Sequence, residues 1–212
     1  MNDRATRKTI GYWLWAVIFT LTLAWSLYHP KDLFTWFLET LPALIGAAIL
    51  IKTYHNFRLT RLSYQLILVH CIILMIGAHY TYAEVPLFDT IRPWFGFERN
   101  NYDKVGHFAQ GFIPAIVCRE IVIRQQVFNG DQWRNFFTVC FCLGFSAFYE
   151  LIEWGVALGA GISAEAFLGT QGYAWDTQSD MGFALIGAIA ALVLLAALHD
   201  RQLSALGVDQ NK

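Results

Sequence analysis

Long apolar runs, each about twenty residues and separated by short polar turns, constrain this chain more than any single motif does. A helix rises 1.5 Å per residue and the hydrocarbon core of a bilayer is about 30 Å thick, so about twenty apolar residues make one crossing. Inside the bilayer the backbone must satisfy its own hydrogen bonds, which restricts a chain with several such runs to a helical bundle. The composition agrees: of 212 residues, 56% are hydrophobic, 16% aromatic and only 15% charged, unlike an ordinary soluble domain. The expected fold class is all-α, an integral membrane bundle of six transmembrane helices in a single domain over 1–212, with both termini cytoplasmic.

The expected spans are about 10–28, 33–51, 64–82, 105–123, 135–159 and 180–198. Arg4, Arg7 and Lys8 precede the first run as in a signal peptide, but a signal's apolar core is roughly 7–15 residues, so the run reads as a span. Ala24 and Ser26 supply only a loose small-x-small match to a cleavage site. The segment 84–104 is the longest polar connection and holds Pro86, Pro93 and Gly96, so it is expected to be partly ordered. A second connection, 159–179, is Gly-rich and has no Lys or Arg. With the N-terminus inside, Arg4, Arg7, Lys8, Lys52, Arg58, Arg61, Arg119, Arg124, Arg134, Arg201 and Lys212 all fall on the inner side. Only Lys31, Arg92, Arg99 and Lys104 fall outside, an asymmetry that sets the orientation. In a bacterium the outer side faces the periplasm.

A net charge of -1 with scattered basic residues excludes a strongly basic nucleic-acid binder. Cys71, Cys118, Cys140 and Cys142 lie in apolar runs without a CxxC pair, which reads as buried thiols rather than a disulfide framework or zinc ribbon.

Tyr149-Glu-Leu-Ile-Glu-Trp154 puts two carboxylates, Glu150 and Glu153, one turn apart on one helix face. An acid in a membrane helix needs a partner, a cavity or a metal. The expected topology sends His79, Glu150 and Glu153 to the outer ends of the third and fifth spans. It also sends Tyr102, Asp103, His107, Asp176 and Asp180 to the outer starts of the fourth and sixth. Asp103 and His107, like Asp176 and Asp180, stand at i, i+4, so each pair shares a face if its helix begins slightly before the apolar run. Three readings remain open. The acids and imidazoles hold a divalent ion (Mg, Mn, Ca, or with His Zn or Fe) that activates water or polarises a phosphoryl group. Alternatively they bind or relay a proton or polar substrate without metal, or Arg92, Arg99 and Lys104 merely pair with them.

Elsewhere, His70 reads as a hydrogen-bonded packing histidine, Glu39 as a locally paired polar residue, and Arg119 and Glu120 as interfacial. Gly144, Gly155, Gly159, Gly182 and Gly187 are candidates for close helix approach. The amide-rich segment 167–181 reads as a loop folded over the outer mouth, or as a helix start capped by Asp176 or Thr177.

The blocks His79-Tyr-Thr-Tyr-Ala-Glu-Val-Pro, Asn101-Tyr-Asp-Lys-Val-Gly-His-Phe-Ala-Gln-Gly, Tyr149-Glu-Leu-Ile-Glu-Trp, Gly169-Thr-Gln-Gly and Trp175-Asp-Thr-Gln-Ser-Asp-Met resemble the YjdF-like family of bacterial inner-membrane proteins over nearly the whole chain. The resemblance implies a multi-span inner-membrane protein and no particular activity. Asp103-Lys104-x-x-His107-Phe108, with a later acidic pair before a final span, is fainter in its similarity to VanZ-like membrane proteins, which implies envelope or lipid-linked chemistry. Those proteins tend to carry Asn and Gly after the last Asp, where this chain has Met181, Gly182 and Phe183.

The leading functional expectation is metal-assisted hydrolysis or transfer on a lipid or lipid-linked envelope substrate. Asp103, His107, Glu150 and Glu153 would be its acid/base groups, and these four with Asp176 and Asp180 its metal ligands. His79, Tyr102, Gln110, Gln171, Trp175 and Gln178 would contact substrate. The expected partners are membrane lipids and no nucleic acid. The alternative is a non-enzymatic membrane protein for solute or ion permeation, or a partner protein. A permeation pathway would favour broken helices and midplane charges, whereas the acids here gather at one end.

Overall fold

The computed structural model describes residues 3–128, 130–160, 165–168 and 170–208. Gly169 and Lys212 lie outside the described residues, as do the side chains of Arg4, Arg7, Lys8 and Glu165. All regular structure among the described residues is helical. Six helices are long: α1 (Asp3–Leu27), α2 (Leu33–Thr53), α3 (Arg61–Tyr80), α5 (Tyr102–Arg124), α6 (Asp131–Ala160) and α8 (Asp176–Ser204). Two are short, α4 (Pro86–Ile91), which runs on into a 3-10 turn at Arg92–Phe95, and α7 (Glu165–Leu168). The connection after α3 is therefore ordered, with Pro86 opening α4 where a helix tolerates a missing N–H.

Local chemistry sets the boundaries. Asp32 caps α2 by accepting from the Thr35 N–H at 2.7 Å, and Thr60 caps α3 by accepting from that of Ser63 at 3.3 Å, each satisfying a donor the first turn leaves over. Pro42 and Pro114 sit inside α2 and α5, which continue through them. The start of α8 is built differently from the expected cap. Its N-cap residue is Trp175, with no side-chain cap bond, and Asp176 is committed to ion pairs described below.

Among the described residues four helical segments are apolar and long enough to cross a membrane: Leu33–Thr53, Arg61–Tyr80, Asp131–Gly159 and Asp176–Ser204. In α1 the apolar stretch is the shorter Gly11–Leu27. α5 falls short because Asp103, Lys104, His107, Gln110, Arg119, Glu120 and Arg124 stand in its 23 residues. It compensates by position, since α3, α6 and α8 all pack against it. The helix richest in charge is the one the bundle encloses.

Contacts at the ends fix the directions. Tyr102 at the start of α5 donates to the Ile73 carbonyl late in α3, and Glu120 at its end reaches Thr60 at the start of α3, so the two are antiparallel. Lys104 meets Asp180 at the starts of α5 and α8, and Arg119 meets His199 near their ends, so these are parallel. α1, α3 and α6 run one way and α2, α5 and α8 the other. Parallel α5 and α8 approach closely because Gly111 lies on the Ala184 backbone and Gly187 on that of Phe108; a Cβ at either glycine would overlap it. Of the glycines the sequence suggested for close packing, Gly187 does this, while Gly144, Gly155, Gly159 and Gly182 have open space.

Between the two polar ends lies an apolar layer of Leu62, Ala115, Ile116, Cys142, Ala188 and Ala191. A second cluster, Phe19, Ala43, Cys71 and Met75, joins α1, α2 and α3. The hydrogen bonding expected of His70 is missing at one ring nitrogen: among the described residues its Nε2 is buried without a partner.

The end bearing Thr60, Arg119 and His199 is also polar inside, a second departure from expectation. Arg119 and Glu120 are buried rather than interfacial. Glu120 accepts from the Thr60 N–H (2.8 Å), the Thr60 and Ser63 hydroxyls (2.8 and 2.6 Å), Arg124 (3.1 Å) and His199 Nε2 (3.3 Å). Arg119 reaches His199 Nδ1 at 3.1 Å and Asp200 at 2.7 Å. One carboxylate thus holds the start of α3 to the ends of α5 and α8. At the opposite end Lys31 pairs with Glu84 at 2.9 Å, and that carboxylate pushes the exposed ammonium pKa up.

Candidate functional site

The starts of α5 and α8 and the outgoing end of α6 bring the polar residues together. α5 begins at Tyr102, so Asp103 and His107 are both helical and face the same side; α8 begins at Asp176, which does the same for Asp176 and Asp180. His107 Nε2 lies 3.2 Å from Asp103 Oδ1, 3.8 Å from Asp180 Oδ2 and 3.9 Å from Glu150 Oε1. His107 Nδ1 is 3.1 Å from Gln110 Oε1. With that oxygen accepting, Nδ1 carries the proton, and Nε2 is aimed at the carboxylates. His107, Gln110, Glu150, Asp176 and Asp180 are all buried.

The cluster has two halves. In the outer half Lys104 Nζ donates to Asp176 Oδ1 at 2.8 Å and to Asp180 Oδ1 at 2.5 Å. Arg99 donates to Asp176 Oδ1 and lies 3.4 Å from Asp103 Oδ2. Both cations also stand over the Tyr173 ring, at 5.6 and 5.7 Å from its centroid. In the inner half, Asp103 Oδ1, Asp180 Oδ2 and Glu150 Oε1 face His107 Nε2, while Lys104 lies on the other side of the two aspartates, against Asp103 Oδ2 (3.5 Å) and Asp180 Oδ1. Among the described residues Glu150 Oε1 is buried with no hydrogen-bond partner, although Thr177 approaches the carboxylate. Glu153, half-buried, lies within electrostatic reach of Glu150, Glu39, Asp103 and His107.

Facing carboxylates need a cation between them, a proton or a metal. One ligand atom each from Asp103, His107 and Asp180 lie within 4.8 Å of one another. Atoms bound to one ion at about 2.0–2.6 Å are separated by at most about 4–5 Å, so this triad has the size of a coordination sphere. Gln110 behind the imidazole supplies the outer hydrogen bond that metal-binding histidines use to fix their tautomer. Glu150 is the fourth residue in reach. Asp176, expected as a ligand, is taken up by Arg99 and Lys104.

The residues expected to touch substrate are dispersed. His79 turns away from the cluster; its Nδ1 bonds the Ser26 carbonyl at 3.0 Å and its ring lies on Trp25. Tyr102 is buried and donates to Ile73 at 2.9 Å. Gln171 uses both ends of its amide on the Asn100 backbone, at 3.0 and 2.9 Å, which clamps the loop before α8 to the loop before α5. Trp175 and Gln178 are exposed.

Three residues join the site that the sequence did not single out for it. Glu39, buried on α2, accepts from the Tyr149 hydroxyl at 3.2 Å and lies within electrostatic reach of Asp103 and His107. It is thus paired with α6 rather than locally. Tyr82 stands in a turn of two left-handed residues, Thr81 at φ 56° and itself at 55°, a conformation rare for a β-branched residue such as Thr81. The turn folds the Tyr82 ring into a slot over Gly77 and Gly106, where a Cβ would collide with it. Asn100, fully buried, ties Val85, Asp89 and the Tyr102 N–H together. An acid in an apolar run was a readable signal for Glu39; the other two had none.

Residues 11–201 match the model of the family described as predicted membrane protein (DUF2238). The inner membrane protein YjdF of Escherichia coli (strain K12) is 46% identical over 193 residues, 91% of this chain and 92% of that protein. No solved structure matches. The chain is an inner-membrane protein, and with its match running through almost every helix described above it belongs to the DUF2238 family of membrane proteins.

Proposed function

We propose that the chain crosses the membrane six times, with both termini inside, and uses its outer polar cluster for metal-assisted hydrolysis or transfer on a lipid-linked envelope substrate. Four apolar helical segments, the alternating helix directions and the Lys/Arg asymmetry support the topology. α1 would cross with its apolar stretch completed by flanking residues, and α5 inside a sheath of neighbours. The carrying observation for the chemistry is the inner half of the cluster: three ligand atoms within 4.8 Å beside Glu150 Oε1, buried without a hydrogen-bond partner among the described residues and 3.9 Å from His107 Nε2.

In this reading Asp103, His107 and Asp180 hold a divalent ion. The ion would supply a bound water of lowered pKa and polarise an oxygen of the substrate. Glu150 stands where it can take or return a proton, and Glu39, held by Tyr149, balances charge from the opposite side. Lys104, through Asp180, stands between this centre and the surface, close to the depth at which a lipid headgroup lies.

The test is an assay on full-length protein in nanodiscs, with radiolabelled polyprenyl phosphates and pyrophosphates and with Mg, Mn or Zn supplied in turn. The expected outcome is a cleaved or transferred product that requires one of the metals and falls at least 100-fold in Glu150→Gln. An absence of product from folded, metal-loaded protein with every such substrate would contradict the enzymatic reading. One observation favours a second reading: Lys104 and Arg99 already neutralise the outer acids, as suits a ligand-binding cavity without catalysis. The apolar layer separating the two polar ends speaks against a continuous permeation path.

A further inference from the structure

Beside the carboxylate and imidazole centre lies a separate cavity of about 760 Å³, within the range of small-ligand sites. Its walls come from the loop 96–101, the starts of α5 and α8, and the loop 171–173. The Gln171 amide clamp on Asn100 holds the two loops together, so the cavity is built rather than left between mobile segments.

The lining is divided by depth. At the rim Arg99 and Lys104 stand against Tyr173, and one helical turn deeper, on α5 and α8, are Phe108 and Phe183. Asp103, Asp176 and Asp180 stand behind the cations and do not line the cavity; Glu98 is the acid that does. An ammonium has three N–H donors; Asp176 and Asp180 take two of those on Lys104 and Asp103 Oδ2 stands 3.5 Å away, which holds the group in place at the cavity wall. A cationic headgroup would meet two like charges here. Free phosphate would leave the aromatic half of the cavity unfilled.

We propose that this cavity binds an amphiphile with a phosphate headgroup, the phosphate against Lys104 and Arg99 and the first carbons of the chain along Phe108 and Phe183. The inference rests on the reading of the adjacent cluster as a site for a lipid-linked substrate and names that substrate's class. Lys104 touches Asp180, whose other oxygen faces His107, so a phosphate held by Lys104 is presented directly to the centre.

Native mass spectrometry of the detergent-purified full-length protein tests this with dodecyl phosphate as the probe, against dodecanol, dodecyltrimethylammonium and inorganic phosphate at equal concentration. Dodecyl phosphate is expected to bind at least tenfold more tightly than each of the other three. Val105→Trp, which fills the cavity, should abolish binding while leaving metal content unchanged; Ser179→Trp serves the same purpose if Val105→Trp does not fold. Arg99→Gln should weaken binding about tenfold. Equal retention of dodecanol or of the ammonium amphiphile, or binding unchanged in a folded cavity-filling variant, would overturn the proposal. Inorganic phosphate binding as tightly as dodecyl phosphate would overturn the amphiphile assignment. Metal is read in the same spectra, so selective dodecyl phosphate binding by metal-free wild type would support the cavity while sinking the metal chemistry, and a metal-loaded protein indifferent to the probe would do the reverse.

Discussion

Glu39 and Glu120 show how a carboxylate's partners decide its role. Glu120 accepts five hydrogen bonds from three directions, so it is a completed structural knot. Removing it in Glu120→Ala leaves His199 Nε2 and the Thr60 N–H without their acceptor and Arg124 with only the Arg58 carbonyl, and breaking a buried pair in this way costs about 3–5 kcal/mol. The expected result is a clear fall in the thermal unfolding midpoint in detergent, and an unchanged midpoint would contradict it. Glu39 has one bond, to Tyr149, and otherwise faces the centre. Glu39→Gln should keep that bond and the fold while lowering metal affinity by about 10–100-fold, as outer residues of metal sites do; isothermal titration with Mn would show it. The sequence located Glu150, Glu153, Asp103 and Asp180 because acids in apolar runs are conspicuous and helical spacing gives their shared faces. It misplaced His79 because the rotation of α3 about its axis, which turns that ring onto Trp25, depends on neighbours hundreds of atoms away in the chain.

At the scale of elements, the pairing of α5 with α8 positions the site. Two helices carrying Asp103, Lys104, His107, Asp176 and Asp180 can bring them together only if their backbones nearly touch, and Gly111 and Gly187 allow that. Gly111→Leu forces them apart, and overpacking of this kind costs about 1–3 kcal/mol. Loss of metal and of thermal stability together is expected, measured side by side in one purified variant. Gly144→Ala, in open space, should change neither. The helices themselves were legible from apolar run length, and every expected span falls on a long helix. The polar ends were less so, because α5 keeps its charges inside the bundle. Arg119 and Glu120 look interfacial in sequence, and only the arrival of Thr60, Ser63 and His199 from other helices makes their burial affordable.

For the molecule as a whole, the proposed six-span topology puts the loops at 52–60 and 171–175 on opposite sides of the membrane. Asn56→Cys should react with a membrane-impermeant maleimide only after the inner membrane is permeabilised, and Trp175→Cys in intact spheroplasts, each judged against the unmodified background of the wild-type cysteines. Labelling of both from the same side would overturn the topology. Within that frame the described residues form an enclosed polar centre whose carboxylates face His107 and meet Lys104 only through their outer oxygens, and a second polar end whose Glu120 carboxylate is fully bonded. The first requires a cation among its acids, and the second does not. The most direct measurement is the metal content of detergent-purified protein by mass spectrometry, under chelator-free conditions and after supplementation with Mg, Mn and Zn, with wild type beside His107→Ala and Glu150→Gln. The expected result is one equivalent of a divalent metal per chain in the wild type, lost in His107→Ala and sharply reduced in Glu150→Gln. Folded wild type without metal, or a metal retained in full by both variants, would contradict it.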